Sequence, residues 1–238
     1  MHSFLADASR ISDNIVVLDE DESRHAVKVM RLKQADEIVI SDGVGGRYLA
    51  RTLTCESRSV SAEIIRRLPS NESTLNLTVL MGCLKSDKLE SAVNQLTQLG
   101  VSAIIPVNMS RCVAADKRSD RLEKIAREAV KQSRRARVPS ISPAIDWEKA
   151  VEAISSSELA LMPWEECEGL RARDVYEKMP DCREITILIG PEGGITGSEA
   201  DDARRAGAVA VTLGRRILRA ETAAAATAAL VQGLWGDI

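Results

Sequence analysis

From residue 75 onward, short apolar runs alternate with stretches of helical spacing, and this alternation limits the fold more than any other feature of the chain. "LNLTVLMG" (75–82) reads as a strand, and residues 86–99 follow as a helix with Leu89, Val93 and Leu96 on one face. "VSAIIPV" is the next strand, 117–135 a long helix, "ELALMPW" a strand before a short helix, and "EITILIG" a strand. "TGSE" is a capping box, with Thr196 as the cap and Glu199 reaching back to it, and it opens a helix to about Ala206. "AVAVTLG" is a further strand and "ETAAAATAALVQGLW" the closing helix. Strand–helix alternation specifies the α/β class, a mainly parallel sheet with helices on both faces.

The first seventy residues follow another rule. "NIVVLDE" and "DEIVISDGVGGRYLARTL" are β-type runs, the second a hairpin with "DGVGG" at its tip. "SVSAEIIRRL" alternates as a half-buried strand does, and one short helix over 20–30 interrupts the series. This reads as a small β barrel, residues 1–70. "LPSNES" (68–73) is a polar turn cluster, which places the second domain at 74–238.

Composition excludes several classes of function. A chain of 238 residues, 45% of them hydrophobic, can bury two cores. The net charge of −3 means that any nucleic-acid surface is a local patch. Five cysteines without a C-x-x-C pair, and only two histidines, give no zinc pattern, so no metal is expected. Their odd number and wide spacing suit thiols in a reducing cytoplasm. No signal-peptide pattern opens the sequence and no run of eighteen apolar residues occurs, so no membrane partner is expected.

Residues 188–194, "LIGPEGG", leave a strand into a glycine-rich loop. The P-loop pattern fails because no lysine follows, and the dinucleotide fingerprint fails on glycine spacing. Glu192 also opposes a phosphate. The plain alternative is a structural turn, with Pro191 fixing φ and the glycines supplying positive φ. The loop lies at the carboxyl end of a strand, however, where open α/β sheets bind ligands. A ligand with hydroxyls, an amine or a sulfonium tolerates Glu192. A second strand–loop–helix passage, "VTLGRRILRAETAAAA" (211–226), carries Arg215, Arg216 and Arg219 within five residues, then Glu221 and Thr222 at the helix start. Its plain alternative is a solvated turn with Glu221 favoured by the helix dipole.

Taken together, "LIGPEGGITGSE" and "VTLGRRILRAETAAAA" resemble the C-terminal signature of the ribosomal RNA small subunit methyltransferase E family, of the SPOUT class. "SRHAVKVMRLKQADEIVISDG", with His25 and Arg31 at matching positions, "LKSDKLESAVNQLTQLGVSAIIPVNMSRC" and "EAVKQSRRARVPSI" extend the resemblance over most of the chain. It implies a PUA-like barrel before an α/β domain with a C-terminal trefoil knot, a homodimer, and S-adenosyl-L-methionine as cofactor. It implies a cofactor site made of Gly190, Pro191, Glu192, Gly193, Gly194, Leu213, Gly214, Ile217, Leu218, Thr222 and Ala223, completed by Met162 and Pro163. The implied reaction is methylation of N3 of one uridine in 16S rRNA of the small ribosomal subunit. Arg219 is the expected stabiliser of the imide anion, with Glu221 or Glu192 as base or orienter. Gln95 and Gln98, where the family usually has charged residues, and Lys131, where a glutamate is common, depart from the pattern.

Between Arg111 and Arg137 there are ten Lys or Arg against four Asp or Glu. Arg121, Lys124, Arg127, Lys131, Arg134 and Arg135 recur at three- and four-residue intervals, as one helix face would. A solvated amphipathic helix is the plain alternative. The lopsided sign instead favours RNA phosphate, and with 3% aromatic residues shape and backbone recognition outweigh base stacking. The expected RNA contacts are Arg24, His25, Arg31, Arg111, Arg127, Lys131 and Arg134. Two alternatives stand beside the rRNA methyltransferase: a SPOUT enzyme acting on another RNA such as tRNA, and a non-catalytic RNA-binding assembly factor.

Overall fold

The computed structural model describes residues 2–112 and 119–238, which fall into two compact units. One unit comprises residues 1–72 with 130–138, the other 73–129 with 139–238.

In the first unit the strands are β1 (His2–Leu5), β2 (Ile11–Ser12), β3 (Ile15–Val17), β4 (Glu37–Ser41), β5 (Arg47–Glu56) and β6 (Ser59–Arg67), with helix α1 (Glu20–Lys28) between β3 and β4. They form one sheet in the order β1-β4-β5-β6-β3-β2, antiparallel except for the β1–β4 pair. The expected barrel is thus, in hydrogen-bonding terms, a six-stranded path that ends at β1 and β2. Alternation puts Ile38, Ile40, Ala50, Val60 and Ala62 into one apolar core with Phe4, Leu18 and Ala26. Asp19 caps α1 by accepting the Glu22 N–H at 2.8 Å. The β4–β5 hairpin turns on Asp42, whose Oδ1 accepts the Val44 and Gly46 N–H groups at 2.9 and 2.8 Å. Gly43 and Gly45 supply the positive φ that this turn requires.

The second unit contains β7 (Asn76–Gly82), α2 (Ser86–Gln98), β8 (Ala103–Asn108), α3 (Ser119–Ser133), which runs on into the first unit, β9 (Ser140–Ile141), β10 (Ile145–Asp146) and α4 (Trp147–Ser155). It continues with β11 (Leu159–Pro163), α5 (Ala172–Tyr176), β12 (Glu184–Ile189), α6 (Gly197–Arg205), β13 (Ala208–Val211) and α7 (Ala220–Trp235). All strand pairs are parallel, in the order β10-β8-β7-β12-β11-β13, with β9 and β10 both on β8. The gap between β9 and β10 falls opposite Pro106, which has no N–H for a ladder, and beside Pro143. Helices α4 and α6 bury Ala150, Ile154, Ala200 and Ala203 against Leu80, Met162 and Leu188 of the sheet. Helix α7 packs on α2, α5, β7 and β12.

The α/β class and parallel sheet agree with the sequence reading, and Thr196 and Glu199 form the expected capping box. Two particulars differ. The helix over 147–155 and the short strands β1, β2, β9 and β10 are additional. The long helix stops at Ser133, and residues 117 and 118 of its expected span lie outside the described residues. Arg134 then takes φ 58, and Arg135 turns inward to pair with Glu72 at 2.7 Å, so neither continues the helix face. On α7, Leu230 is 47% exposed.

Candidate active site

Strand β12 ends at Ile189, and the chain turns at once through Gly190-Pro191-Glu192-Gly193-Gly194, closed by the Gly194 N–H on the Pro191 carbonyl at 2.9 Å. Space is tight at each glycine, and Gly194 also takes a positive φ of 75. A Cβ on Gly190 would lie 2.7 Å from Ile195 Cγ1, one on Gly193 2.8 Å from Arg111 Cβ, and one on Gly194 2.6 Å from Glu165 Oε1. Gly82, at the end of neighbouring β7, admits the Pro191 backbone in the same way, with 2.6 Å to a built Cβ. Two side chains then pin the loop. Arg111 Nη1 donates to the Gly193 carbonyl at 2.9 Å, and Glu192 Oε1 accepts the Lys85 N–H, ahead of α2, at 3.1 Å. Negative charge is favourable at that helix start.

The facing wall is the passage from β13 to α7. Its entry is fixed by the Thr212 N–H on the Leu170 carbonyl at 2.8 Å, and its exit by the Ala223 N–H on the carbonyl of Arg219, the N-cap of α7. Between them Arg215, Arg216, Ile217 and Arg219 are exposed, and Ile217 keeps 88% of its surface in solvent. Glu221, in the first turn of α7, is largely buried and pairs with Lys88 of α2 at 3.2 Å.

A cavity of about 450 Å³ lies between the two walls. Pro163, Gly190, Pro191, Glu192, Gly193, Gly194, Ile217, Leu218 and Ala223 line it, as do Arg219 and Glu221. A smaller adjoining space of about 80 Å³ takes in Leu213 and Gly214. Two expected residues line neither space: Met162 is fully buried in the core beneath, and Thr222 is exposed on α7. The sequence pattern passes over Lys88 and Glu165, which do line the cavity. Lys88 lies within "LKSDKLES" and Glu165 directly follows "MPW", but neither motif says that they line one cavity. Trp164 lines the smaller space; it is 8% exposed, its Nε1 is buried without an acceptor, and the Arg204 guanidinium stacks on its ring at 4.6 Å.

Behind the glycine loop, Glu199 ties the turn that bears Arg111 to the start of α6. Its carboxylate accepts the Ser110 and Thr196 N–H groups, both at 2.8 Å. Burial pushes the carboxyl up, but these donors outweigh it and hold its pKa below the usual carboxylate value. Beside it, a hydrogen bond with Cys83 lowers Cys112 to about 7 against the opposing effect of burial.

The expected RNA contacts are scattered. Arg111 is held at the glycine loop. Arg24 pairs with Glu20 at 2.9 Å and Asp21 at 3.4 Å, and Lys131 pairs with Glu22 at 2.6 Å. His25, Arg31 and Arg134 are exposed, and Arg127 is half-buried. Gln95 and Gln98 make uncharged pairs along α2 with Ser91 and Asn94, away from both loops.

A family model described as an RNA methyltransferase domain matches residues 71–232, and one described as an RNA methyltransferase PUA domain matches residues 18–64. The ribosomal RNA small subunit methyltransferase E of Rickettsia conorii is 33% identical over 227 residues, which cover 94% of this chain and 92% of that protein. The protein of the same name from Mycobacterium tuberculosis is 32% identical over 234 residues, covering 93% and 87%. Among solved structures, a ribosomal RNA small subunit methyltransferase E from Neisseria gonorrhoeae bound to S-adenosyl methionine superposes with a TM-score of 0.87 at 34% identity, covering 100% of this chain and 99% of that one.

Proposed function

The chain belongs to the ribosomal RNA small subunit methyltransferase E family, and from that premise we propose that it transfers a methyl group from S-adenosyl-L-methionine to N3 of one uridine in 16S rRNA. The observation that carries the proposal is the cavity between the two loops, with Arg219, Glu221 and Lys88 on its lining.

The residues present fit the cofactor. The cavity is in the range of pockets that enclose small ligands, roughly 300–1,000 Å³. Its glycine wall presents backbone rather than side chains, and Glu165, Glu192 and Glu221 around it suit a cationic sulfonium and an amine. Trp164 Nε1 adds a buried donor in need of an acceptor. Bound there, S-adenosyl-L-methionine supplies an electrophilic methyl group.

Uridine N3 carries a proton and is a poor nucleophile at neutral pH. Walls that held N3 in line with the methyl group would contribute by alignment, which is worth about 7–11 kcal/mol in well-oriented systems. In this reading Arg219, exposed at the N-cap of α7 and on the cavity lining, stabilises the imide anion that forms as the proton leaves. Glu221 is the better candidate to take that proton, because Glu192 is engaged by the Lys85 N–H and acts as a loop anchor. Lys88 orients Glu221 through their ion pair.

Residues 1–70 act in this reading as the PUA-like RNA-binding domain and 74–238 as the SPOUT methyltransferase domain. The placement of β12 between β7 and β11, with β13 outside β11 and the cavity between the loops that follow, supports a C-terminal trefoil knot. The uncovered face of α7 around Leu230 supports a homodimer. Leu230→Glu is expected to shift the protein to the monomer in sedimentation, and an unchanged sedimentation coefficient counts against the dimer. The partner is 16S rRNA or the small ribosomal subunit, and the site of action is the cytoplasm.

The decisive experiment incubates the protein and labelled S-adenosyl-L-methionine with small subunits, and with naked 16S rRNA, from a strain that lacks the modification. Label is expected in 3-methyluridine on digestion. Label in another nucleoside, or cofactor binding without transfer, overturns the proposal.

A further inference from the structure

The hairpin end of the first unit gathers three segments, 42–47, 66–72 and 134–138, that are far apart in sequence. They are laced by the Gly45 N–H on the Ala136 carbonyl, the Val138 N–H on the Gly43 carbonyl and the Leu68 N–H on the Arg47 carbonyl, at 3.0, 2.9 and 2.8 Å. Asn71 Nδ2 adds a bond to the Arg134 carbonyl at 2.7 Å. Together the segments carry six arginines and only two acids, Asp42 and Glu72, in a protein whose net charge is −3.

Both acids are already engaged. Asp42 is buried and accepts two backbone N–H groups and the Tyr48 hydroxyl. Glu72 takes the fork of Arg135 through Nε and Nη2 at 3.1 and 2.7 Å, and the Ala136 and Arg137 N–H groups at 2.7 and 3.0 Å. Among the described residues, Arg47, Arg66, Arg67, Arg134 and Arg137 have no ion-pair partner within 4.0 Å, and all but the half-buried Arg47 are exposed. Elsewhere in the unit Arg24 pairs with Glu20 and Asp21, Arg51 with Glu37 at 3.4 Å and Arg58 with Glu20 at 3.8 Å, which leaves Arg10 and Arg31 as the other described arginines of the unit without an ion pair. Excess charge of one sign is therefore concentrated at one end, on segments that their own hydrogen bonds hold in place.

We propose that this arginine end, and not the face of α1, is where the first unit docks the phosphodiester backbone of structured RNA. Guanidinium forks match phosphate oxygens with two parallel hydrogen bonds. The scarcity of aromatic side chains speaks against base stacking, so contact here sets affinity and orientation without reading sequence. The inference rests on the RNA-substrate reading above and names the surface that serves it.

The test measures binding of the full-length protein to a mixed-sequence RNA stem–loop over a range of KCl concentrations. Each phosphate contact removed lowers the slope of log affinity against log salt by about 0.7–0.9. An Arg66→Ala/Arg67→Ala protein is expected to lose about 1.4–1.8 from that slope, with an unchanged thermal midpoint. An Arg51→Ala/Arg58→Ala protein, whose charges are already paired, is expected to keep the slope. An unchanged slope in the first protein, or an equal loss in the second, overturns the proposal. Methyl transfer to 16S rRNA is assayed in parallel with the unmodified chain. Its absence counts against the methyltransferase reading alone, because the salt slopes still decide where RNA docks.

Discussion

Gly193 and Gly214 stand in the two loops that wall the same cavity, yet a methyl group added to each would meet different surroundings. At Gly193 it would lie 2.8 Å from Arg111 Cβ and 3.2 Å from the Arg111 carbonyl oxygen, whereas at Gly214 nothing lies within 4 Å. The first loop is wedged between β7, the Arg111 turn and Glu165, and it is pinned by Glu192 and Arg111. The second is fixed at its entry and its exit, with Ile217 left in solvent between them. One wall is preformed. The other is held at its ends and open between them, and it carries Arg219, the residue proposed for the chemistry.

The largest effect is expected at Arg219, which contributes charge more than packing. Losing a stabiliser of developing charge costs about 10²–10³ in turnover. Arg219→Ala should therefore lower kcat on saturating RNA by that order while cofactor binding by calorimetry stays close to that of the unaltered protein. Equal losses in kcat and in cofactor affinity would mean that Arg219 serves the wall, and would blur the distinction between the loops.

Next is Gly193→Ala. Its Cβ meets both the base of a side chain and a carbonyl oxygen, so relief requires a backbone shift. Overpacking of this kind costs about 1–3 kcal/mol, which is about tenfold in affinity for each 1.4 kcal/mol that reaches the cofactor site. Calorimetric titration with S-adenosyl-L-methionine measures it, and undiminished affinity would show that the first wall is not rigid.

A pH dependence sharpens the same contrast. Glu199 ties the Arg111 turn to α6, and its pKa is held below the usual value by N–H donors despite burial. A carboxyl whose folded pKa lies below its unfolded one stabilises fully above the unfolded value, here about 4.5, and loses that contribution as pH falls through the folded value. Glu199→Gln should lower stability by about 1–3 kcal/mol at neutral pH. The gap in thermal midpoint from the unaltered protein should narrow below about pH 4.5. A gap that stays constant with pH would remove Glu199 as the tie.

The same division explains what could be read from the sequence. The first loop is legible because an apolar run ending in Gly-Pro and Gly-Gly states both the strand and its stop, and Thr196 and Glu199 announce the following helix within four residues. Lys88 and Glu165 are not legible, because their presence on one cavity depends on the order β7-β12-β11 and not on local spacing. The helix over 147–155 does carry Trp147, Ala150, Val151 and Ile154 at helical spacing, but it is short and follows strands of only two residues, too brief to show a period. The end of α3 carries no glycine or proline. Arg134 takes a left-handed φ that only the contacts of residues 134–137 with Asn71 and Glu72 explain, so charge spacing alone projected the basic face two residues too far.

The smallest effect is expected at Gly214, where the comparison is most exposed to failure. Its φ of 103 is one that a side chain resists, and the cost of forcing an L-residue there is about 1–2 kcal/mol. An added Cβ meets nothing, however, and apart from the Gly214 N–H on Thr212 Oγ1 at 3.1 Å the loop can relax toward an allowed angle between its two fixed ends and recover part of that cost. Gly214→Ala should lower the thermal midpoint by no more than about 2–4 °C and leave cofactor affinity nearly unchanged, in contrast to Gly193→Ala. If the two substitutions weakened the cofactor equally, the second loop would have to be as firmly seated as the first, and Arg219 would stand on a wall as tightly packed as the glycine loop.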